Sequence, residues 1–467
     1  MTGATIHPAR VRWLNRDAVA AGGYVLYWMQ QSQRAEANHA LEYAIQRANA
    51  RGEPLVVGFG LTDRYPGANL RHYRFLLEGL AETAPALERG GARFVAREGD
   101  PADVALALAR GASLVVCDGG YLRHQRAWRE RVARGAGRTV VQVESDVVVP
   151  VAEASPKREW AARTIRPRIL RRLDEFLVAL TPTPLEQDAA RVELPSGRDL
   201  DVSDPDGILA RLDIDRSVAP VSAHFRGGTA AARARLRRFL AALPDYAERR
   251  GDPGSDAVSR LSPYLHFGHI SPLTVALAVM SAADRARGTG AARTRAAAES
   301  FLEELVVRRE LAVNYVWHAR ATYDRFAGLP DWSRATLRAH ARDPREAVYS
   351  RAPLEAGRTD DPRWNAAMAE MRETGWLHNH LRMYWGKRIL GWTRTPEHAF
   401  RVARDLNDKW FLDGRDPSSY ANIGWLFGLH DRPWPERAVY GTVRTMSRAG
   451  LERKLRQAVG IRRGLSG

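Results

Sequence analysis

Gly23-Tyr-Val-Leu-Tyr-Trp28, followed at once by Met29-Gln-Gln-Ser-Gln-Arg34, is the stretch on which the fold turns. Its first six residues are aromatic, β-branched and apolar without polar alternation, the composition of a strand covered on both faces. The second block stands where a glycine-rich G-x-G-x-x-G turn would open a dinucleotide-binding unit, so that fingerprint is absent. Outward from there, strand-like runs (Pro54-Leu-Val-Val-Gly-Phe59, Ala92-Arg-Phe-Val95, Ser113-Leu-Val-Val116, Thr139-Val-Val-Gln-Val143) alternate with helical patterns over 38–50, 71–87 and 102–110. Such alternation predicts a parallel sheet covered by helices, an α/β domain over 1–180 that is Rossmann-like in pattern only.

Five prolines, Pro182, Pro184, Pro195, Pro205 and Pro220, fall in a polar stretch with little periodicity, which predicts an inter-domain linker over 181–220. Beyond it helical patterns dominate, over 229–243, 272–286, 293–319, 361–390 and 396–409. The expectation for 221–467 is an all-α domain.

Composition sets the outer limits. The 467 residues are 45% apolar and 27% charged, enough for two domains with full cores. Cys117 is the single cysteine, so an intramolecular disulfide and a cysteine-based metal site are excluded. No stretch approaches the roughly 18 apolar residues of a membrane span, and the first eleven residues carry no signal-peptide run; the expected location is the cytoplasm. A formal charge of +17 attracts phosphates and speeds encounter with nucleic acid, although an arginine-rich composition alone produces the same surplus.

Nine of the 13 tryptophans lie between Trp317 and Trp434. Stacking on bases, holding an aromatic cofactor and relaying electrons all use such side chains, as does ordinary packing. Four segments of this half carry chemistry. Ser259-Arg-Leu-Ser-Pro-Tyr-Leu-His-Phe-Gly-His-Ile-Ser-Pro272 offers hydroxyls and helix starts suited to a pyrophosphate. Gly375-Trp-Leu-His-Asn-His-Leu-Arg-Met-Tyr-Trp385 places Trp376, Asn379 and Met383 on one helix face, with Arg382 able to reach round; if the helix continues, Trp385 and Trp392 share a face about 10 Å apart along the axis. Asp405-Leu-Asn-Asp-Lys-Trp-Phe-Leu-Asp-Gly-Arg-Asp-Pro417 is rich in carboxylates but has no histidine at ligand spacing, so it reads as a loop supporting a cofactor rather than a metal site. In Phe301-Leu-Glu-Glu-Leu-Val-Val-Arg-Arg-Glu-Leu311, Glu304 and Arg308 stand four apart, an ordinary helix ion pair by spacing alone.

Together, and in this order, these segments resemble the photolyase/cryptochrome family. Trp28-Met-Gln-Gln-Ser-Gln-Arg34, Glu303-Glu-Leu-Val-Val-Arg-Arg-Glu-Leu311 and Leu406-Asn-Asp-Lys409 are similar to its class II branch, the cyclobutane pyrimidine dimer photolyases. The resemblance runs from about residue 20 to 447. It implies an N-terminal domain able to hold an antenna chromophore, a deazaflavin or a folate, and an all-helical domain binding FAD. Tyr246 and the run Val258, Ser259, Arg260, Leu261 and Ser262 would hold the FAD phosphates, and Phe301, Trp376 and Asn379 would line the flavin and adenine pocket. Arg382 and Asp413 would pair across the flavin ring, with Asn407 near its N5.

Glu304 then acquires a second meaning. The resemblance places it at the cofactor pocket against the carbonyls of a flipped dimer, as a buried, protonated carboxyl able to donate a hydrogen bond. Met383 would pack beneath the dimer and Trp425 would wall its pocket; Arg308 stands where some relatives carry an aromatic, leaving the second wall open. The implied reaction is a light-driven electron loan from FADH− that splits the cyclobutane ring, with flavin photoreduction running through Trp385, Trp364 and a surface-proximal Trp392. The implied partner is duplex DNA carrying a pyrimidine dimer, contacted by Arg260, Arg308, Trp425, Arg432, Arg437 and Arg444, with the protein acting as a monomer and without a metal.

A cryptochrome photoreceptor and a 6-4 photolyase share the fold. The cryptochrome is disfavoured by the twenty or so residues that follow the last matching segment. The 6-4 enzyme would need active-site histidines, for which His266 and His269 are the candidates. A nucleotide-binding module joined to an unrelated helical partner would bind no flavin.

Overall fold

The computed structural model describes residues 6–453. Packing divides them into two compact units. The first comprises the chain up to Pro156 with Pro167–Arg237 and Arg260–Ser281; the second comprises Lys157–Arg166, Arg238–Ser259 and the chain from Ala282 onward.

In the first unit, β1 (Val11–Trp13), β2 (Tyr24–Trp28), β3 (Leu55–Leu61), β4 (Arg93–Glu98), β5 (Ala112–Asp118) and β6 (Val140–Val143) form one sheet in the order β1-β6-β5-β2-β3-β4. Every pairing is parallel except β1 with β6. The central β2 is buried throughout: Val25 and Tyr27 enter a core with Leu41, Leu77 and Leu80, while Tyr24, Leu26 and Trp28 enter a second core with Val104, Leu108 and Val132. Burial on both faces is why the strand shows no alternation.

Strand order runs outward from β2 in both directions, so the switch point of the sheet lies at its C-terminal end. There the Asp118 carboxylate accepts backbone N–H groups from Gln30 and Gln31, each at 2.7 Å, and from Ser32. Amides that a glycine-rich turn would offer to a phosphate are already taken by a protein carboxylate, which accounts physically for the missing fingerprint.

The stretch expected as a linker, 181–220, packs instead on the first unit. Leu200, Val202, Ile208, Leu209 and Leu212 are buried in one of the sheet's two cores, and Leu200 N–H donates to Ala96 O at 2.7 Å along the edge of β4. Apart from the short helix Pro205–Arg211, which Pro205 opens, the stretch lacks regular structure, yet it covers an otherwise open sheet edge. Residues 260–281 also belong to this unit, where Gln31 Nε2 donates to His266 O at 2.7 Å and Arg34 Nη1 to Gly268 O at 3.0 Å. The helices Arg123–Gly135 and Ala162–Phe176 and strand β1 were not expected from the sequence; dense arginines dilute the apolar stripe of both helices.

The second unit is largely helical. The helix expected over 293–319 is interrupted: Ala291–Leu302 leads into a π-helical turn, Glu303–Arg308, before Arg309–His318. The helix expected over 361–390 is two, Pro362–Thr374 and Asn379–Trp392. Gly375 sits at φ 72° and its N–H closes the first on Met371 O at 3.0 Å, while His378 Nδ1 caps the second through His380 N–H at 3.2 Å. Trp376 therefore lies in the connection and does not share a helix face with Asn379 and Met383. Among the described residues, no helix is long and apolar enough to cross a membrane.

Candidate active site

The second unit gathers most of the candidate residues around helix Asn379–Trp392. Arg382, one turn in, forms a buried double hydrogen bond with Asp413, 3.0 Å to Oδ1 and 3.3 Å to Oδ2, and its guanidinium lies 3.8 Å over the Phe411 ring. Asp413 is delivered by a tight reversal after helix Pro396–Trp410. Gly414 permits the turn, because a Cβ there would come within 2.8 Å of Asn407 O and 3.0 Å of Asp408 Cα. Asn407, 1% exposed, directs its amide N–H groups to Ser419 Oγ at 2.6 Å and Asp408 Oδ1 at 2.9 Å, so its orientation is locked.

Trp364 links two tryptophans of helix Asn379–Trp392, and Trp385 meets the same Phe411 ring at 6.1 Å. Trp364 Nε1 donates to Trp385 O at 2.9 Å, and the Trp364 and Trp392 ring centroids are 5.6 Å apart, edge to face. Helix Asn379–Trp392 does continue, so Trp385 and Trp392 both enter the core from it. Trp392, expected near the surface, is only 2% exposed. The half-buried Tyr349 lies outside it at 5.3 Å and donates its hydroxyl to Asp360 at 2.7 Å. No spacing signal in the sequence pointed to Tyr349.

Tyr246 and Phe301 meet edge to face at 5.4 Å with Phe239 at 4.5 Å from Phe301, and all three are buried. Trp376 and Met383 are also buried, whereas Asn379 is exposed at its helix start. The indole Nε1 of fully buried Trp385 has no hydrogen-bond partner among the described residues. An unsatisfied N–H donor, a guanidinium fixed by a carboxylate, an amide left with its oxygen to offer, and apolar ring faces suit a flavin's polar edge and flat apolar faces. Val258 and Ser259 are half-buried in this unit; Arg260, at φ 52°, buried Leu261 and exposed Ser262 belong to the first unit. Of the hydroxyls in that segment, Ser271 Oγ is used as a cap, accepting Leu273 N–H at 3.2 Å.

Glu304 differs from expectation. Its side chain is 36% exposed rather than buried, and it accepts from Arg250 Nη1 at 2.7 Å with Arg308 Nε at 3.3 Å. Arg308, itself 52% exposed, also lies 3.6 Å from Glu303, which pairs with Arg166 at 2.7 Å. The π-helical turn is the reason: it carries Glu303, Glu304 and Arg308 toward one partly exposed side, producing an alternating series Arg166, Glu303, Arg308, Glu304, Arg250. Arg250 was invisible to the sequence reading because its partner lies 54 residues away.

A second series involves Trp425. Lys387 Nζ lies 5.2 Å from the Trp425 ring and Arg444 5.6 Å from it; Arg444 is also 4.8 Å from Trp434, over which Arg432 sits at 5.4 Å. These are cation–π distances. Arg432, Arg437 and Arg444 are exposed, as phosphate contacts must be. Lys387 is fully buried, donates to Leu426 O at 2.6 Å, and its pKa is lowered to about 7 by burial, with Asp431 opposing and Arg444 adding to the fall. Neither Lys387 nor Trp434 was singled out from sequence, since each looks like core within a helix or loop pattern. Among the described residues, no group of three His, Cys, Asp or Glu side chains is placed to hold a metal ion.

Comparison with known proteins agrees with this architecture. The family model described as DNA photolyase matches residues 25–187. The chain is 44% identical over 453 residues to the deoxyribodipyrimidine photo-lyase of Methanothermobacter thermautotrophicus, covering 97% of each, and 39% identical to that of Potorous tridactylus, covering 92% of this chain and 79% of the relative. A class III photolyase from Agrobacterium tumefaciens has the same fold at TM-score 0.69 and 22% identity, over 90% of this chain and 82% of that one. With a two-unit architecture and identity of this extent along nearly its whole length, the chain belongs to the DNA photolyase family.

Proposed function

We propose that this protein is a class II deoxyribodipyrimidine photo-lyase, splitting cyclobutane pyrimidine dimers in DNA under light. The observation that carries the reading is the buried Arg382 and Asp413 pair, joined through Phe411 to Trp385, whose carbonyl accepts from Trp364, itself packed on Trp392. The class II assignment is supported by Trp28-Met-Gln-Gln-Ser-Gln-Arg34 and Leu406-Asn-Asp-Lys409. FAD, when bound in its reduced form, supplies the photoexcited electron donor.

The chain's own residues then do the following. Tyr246, Val258, Ser259, Phe301 and Trp376 hold the cofactor, with Arg260, Leu261, Ser262 and Asn379 as further candidates by resemblance. Arg382 favours negative charge on the ring it faces, and Asp413 fixes the guanidinium so that the field is oriented without leaving an unpaired buried cation. Asn407 presents an amide whose rotation is blocked by Ser419 and Asp408. Trp385, Trp364 and Trp392 conduct electrons inward, with Tyr349 at the outer end of the series.

Met383 and Trp425 form the dimer pocket. Glu304, held by Arg250 and Arg308, faces the dimer carbonyls, and its partial exposure leaves it able to exchange a guanidinium for an incoming base. Arg432, Arg437 and Arg444 contact phosphates, which fixes register without reading sequence. An antenna chromophore, deazaflavin or folate, belongs to the first unit in this reading, and the protein works as a cytoplasmic monomer.

Cyclobutane dimers are favoured over 6-4 products by the class II segments and because His269, one of the two candidate histidines, is engaged in packing: its ring stacks on Phe75 at 5.0 Å, its Nδ1 accepts Gly228 N–H at 3.1 Å, and burial lowers its pKa to about 3. A buried neutral imidazole of this kind is a poor proton donor. The test is blue-light incubation of the flavin-loaded protein with two DNAs, one carrying a cyclobutane dimer and one a 6-4 product. Loss of the dimer alone is expected; loss of the 6-4 product alone would overturn the assignment.

A further inference from the structure

Trp160 is 47% exposed, yet its backbone is tied down by hydrogen bonds at and beside it. Its carbonyl is 2.9 Å from His430 Nδ1, the preceding Glu159 N–H donates to Asn314 Oδ1 at 2.8 Å, and Asn314 Nδ2 returns a bond to Lys157 O at 2.9 Å. Arg158 Nη2 donates to Gly328 O at 2.7 Å. A large indole left in water on a fixed backbone loses little conformational entropy when something stacks on it, as a contact anchor requires. The Arg163 guanidinium already lies 4.0 Å from the ring centroid.

The surroundings specify the partner's charge. Residues 157–166 contain four cations, Lys157, Arg158, Arg163 and Arg166, against one carboxylate, Glu159, which is buried. Arg166 continues into the series through Glu303 to Arg308 and Glu304, and His430 ties Trp160 to the segment that carries Arg432. Trp160 thus stands where two sets of proposed DNA contacts meet. An exposed aromatic with an arginine on its ring and further cations in the adjoining chain is the arrangement that takes an unstacked base and its phosphates.

We propose that Trp160 and Arg163 form a base-stacking platform for DNA beside the lesion, receiving a base that loses its neighbours when the dimer leaves the duplex. The inference rests on the repair reading for its choice of base, but not for its chemistry. Trp160→Ala and Trp160→Phe, both loaded with FAD, are compared with wild type in the dark for affinity toward a duplex carrying one dimer. Trp160→Ala should bind about tenfold more weakly, which is ~1.4 kcal/mol, Trp160→Phe should stay close to wild type, and flavin absorbance per chain should be unchanged in both.

A merely structural role is separated by placing single abasic sites opposite and flanking the dimer. At one of these positions wild type and Trp160→Ala should bind alike, because the base that stacks has been removed. Equal affinity of Trp160→Ala and wild type on the dimer duplex, or a loss that persists at every abasic position, overturns the platform. A wild type that shows no preference for dimer DNA overturns the repair reading alone; the platform then stands on a similar loss for Trp160→Ala with single-stranded DNA and falls without one.

Discussion

The guanidinium of Arg382 is held by Asp413 at 3.0 Å and lies 3.8 Å over the ring of Phe411, with both charged side chains almost out of water. Removing one member of such a pair strands the other as an unpaired buried charge, at a cost of roughly 3–5 kcal/mol. Asp413→Leu should therefore lower stability to denaturant and lose FAD on gel filtration. The double change Arg382→Met with Asp413→Leu should recover most of the stability while still failing to retain flavin. Recovery of both together would mean that the pair serves the fold and not the cofactor.

The link from Trp385 through its carbonyl to Trp364, and from there by ring contact to Trp392, leads to a second expectation. Trp364→Phe keeps an aromatic in the core but interrupts the series, so light-driven reduction of bound flavin should slow by roughly tenfold or more. Repair by protein whose flavin has first been reduced chemically should be unchanged. Tyr349→Phe, which removes the hydroxyl bonded to Asp360, should slow photoreduction less than Trp392→Phe does. Slowed repair by pre-reduced Trp364→Phe would show that the indole acts elsewhere than in flavin reduction.

Lys387 gives a pH-dependent expectation. Its folded-state pKa of about 7 lies below the ordinary lysine value of about 10.4, so between these limits the unfolded chain binds a proton that the folded one does not. Stability then rises with pH across that window and is lowest below it. Lys387→Met should remove this slope, giving an advantage over wild type that is roughly 3 kcal/mol larger at about pH 7 than at about pH 9.5. Denaturant titrations at the two pH values check it; parallel curves for variant and wild type would contradict it.

Arg432, Arg437 and Arg444 are exposed, with Arg432 and Arg444 resting on the Trp434 ring and no ion pair to any of the three among the described residues. Replacing each with Gln should weaken binding to damaged and undamaged duplexes alike and reduce the dependence of log affinity on log salt by about one. An effect confined to damaged DNA would move that residue from phosphate contact to lesion recognition.

Local chemistry made much of this molecule legible. β2 announced itself because a strand buried on both faces must be apolar throughout, and the missing glycine turn after it is explained by Asp118 occupying the amides. Three features resisted. The prolines of 181–220 broke periodicity but could not reveal that Leu200 and Val202 would be buried in a core of the sheet, since burial without regular structure has no period to detect. At Glu304 the i, i+4 spacing gave the ion pair with Arg308 that the structure holds, whereas the buried carboxyl implied by resemblance stands 36% exposed between Arg250 and Arg308 at the π-helical turn Glu303–Arg308. At Gly375 a left-handed residue split what read as one helix and took Trp376 off its face. Partners remote in sequence, such as Arg250 for Glu304, leave no local signal at all.

The claim that this chain is a light-driven repair enzyme meets its most direct test in one preparation. The protein, purified natively and found to carry FAD by its absorption, is chemically reduced, mixed with DNA containing cyclobutane dimers, and divided into illuminated and dark halves. Restoration of intact pyrimidines in the illuminated half alone, over many turnovers per bound flavin, is the predicted result. Flavin-loaded protein that leaves the dimers unchanged under light would contradict it.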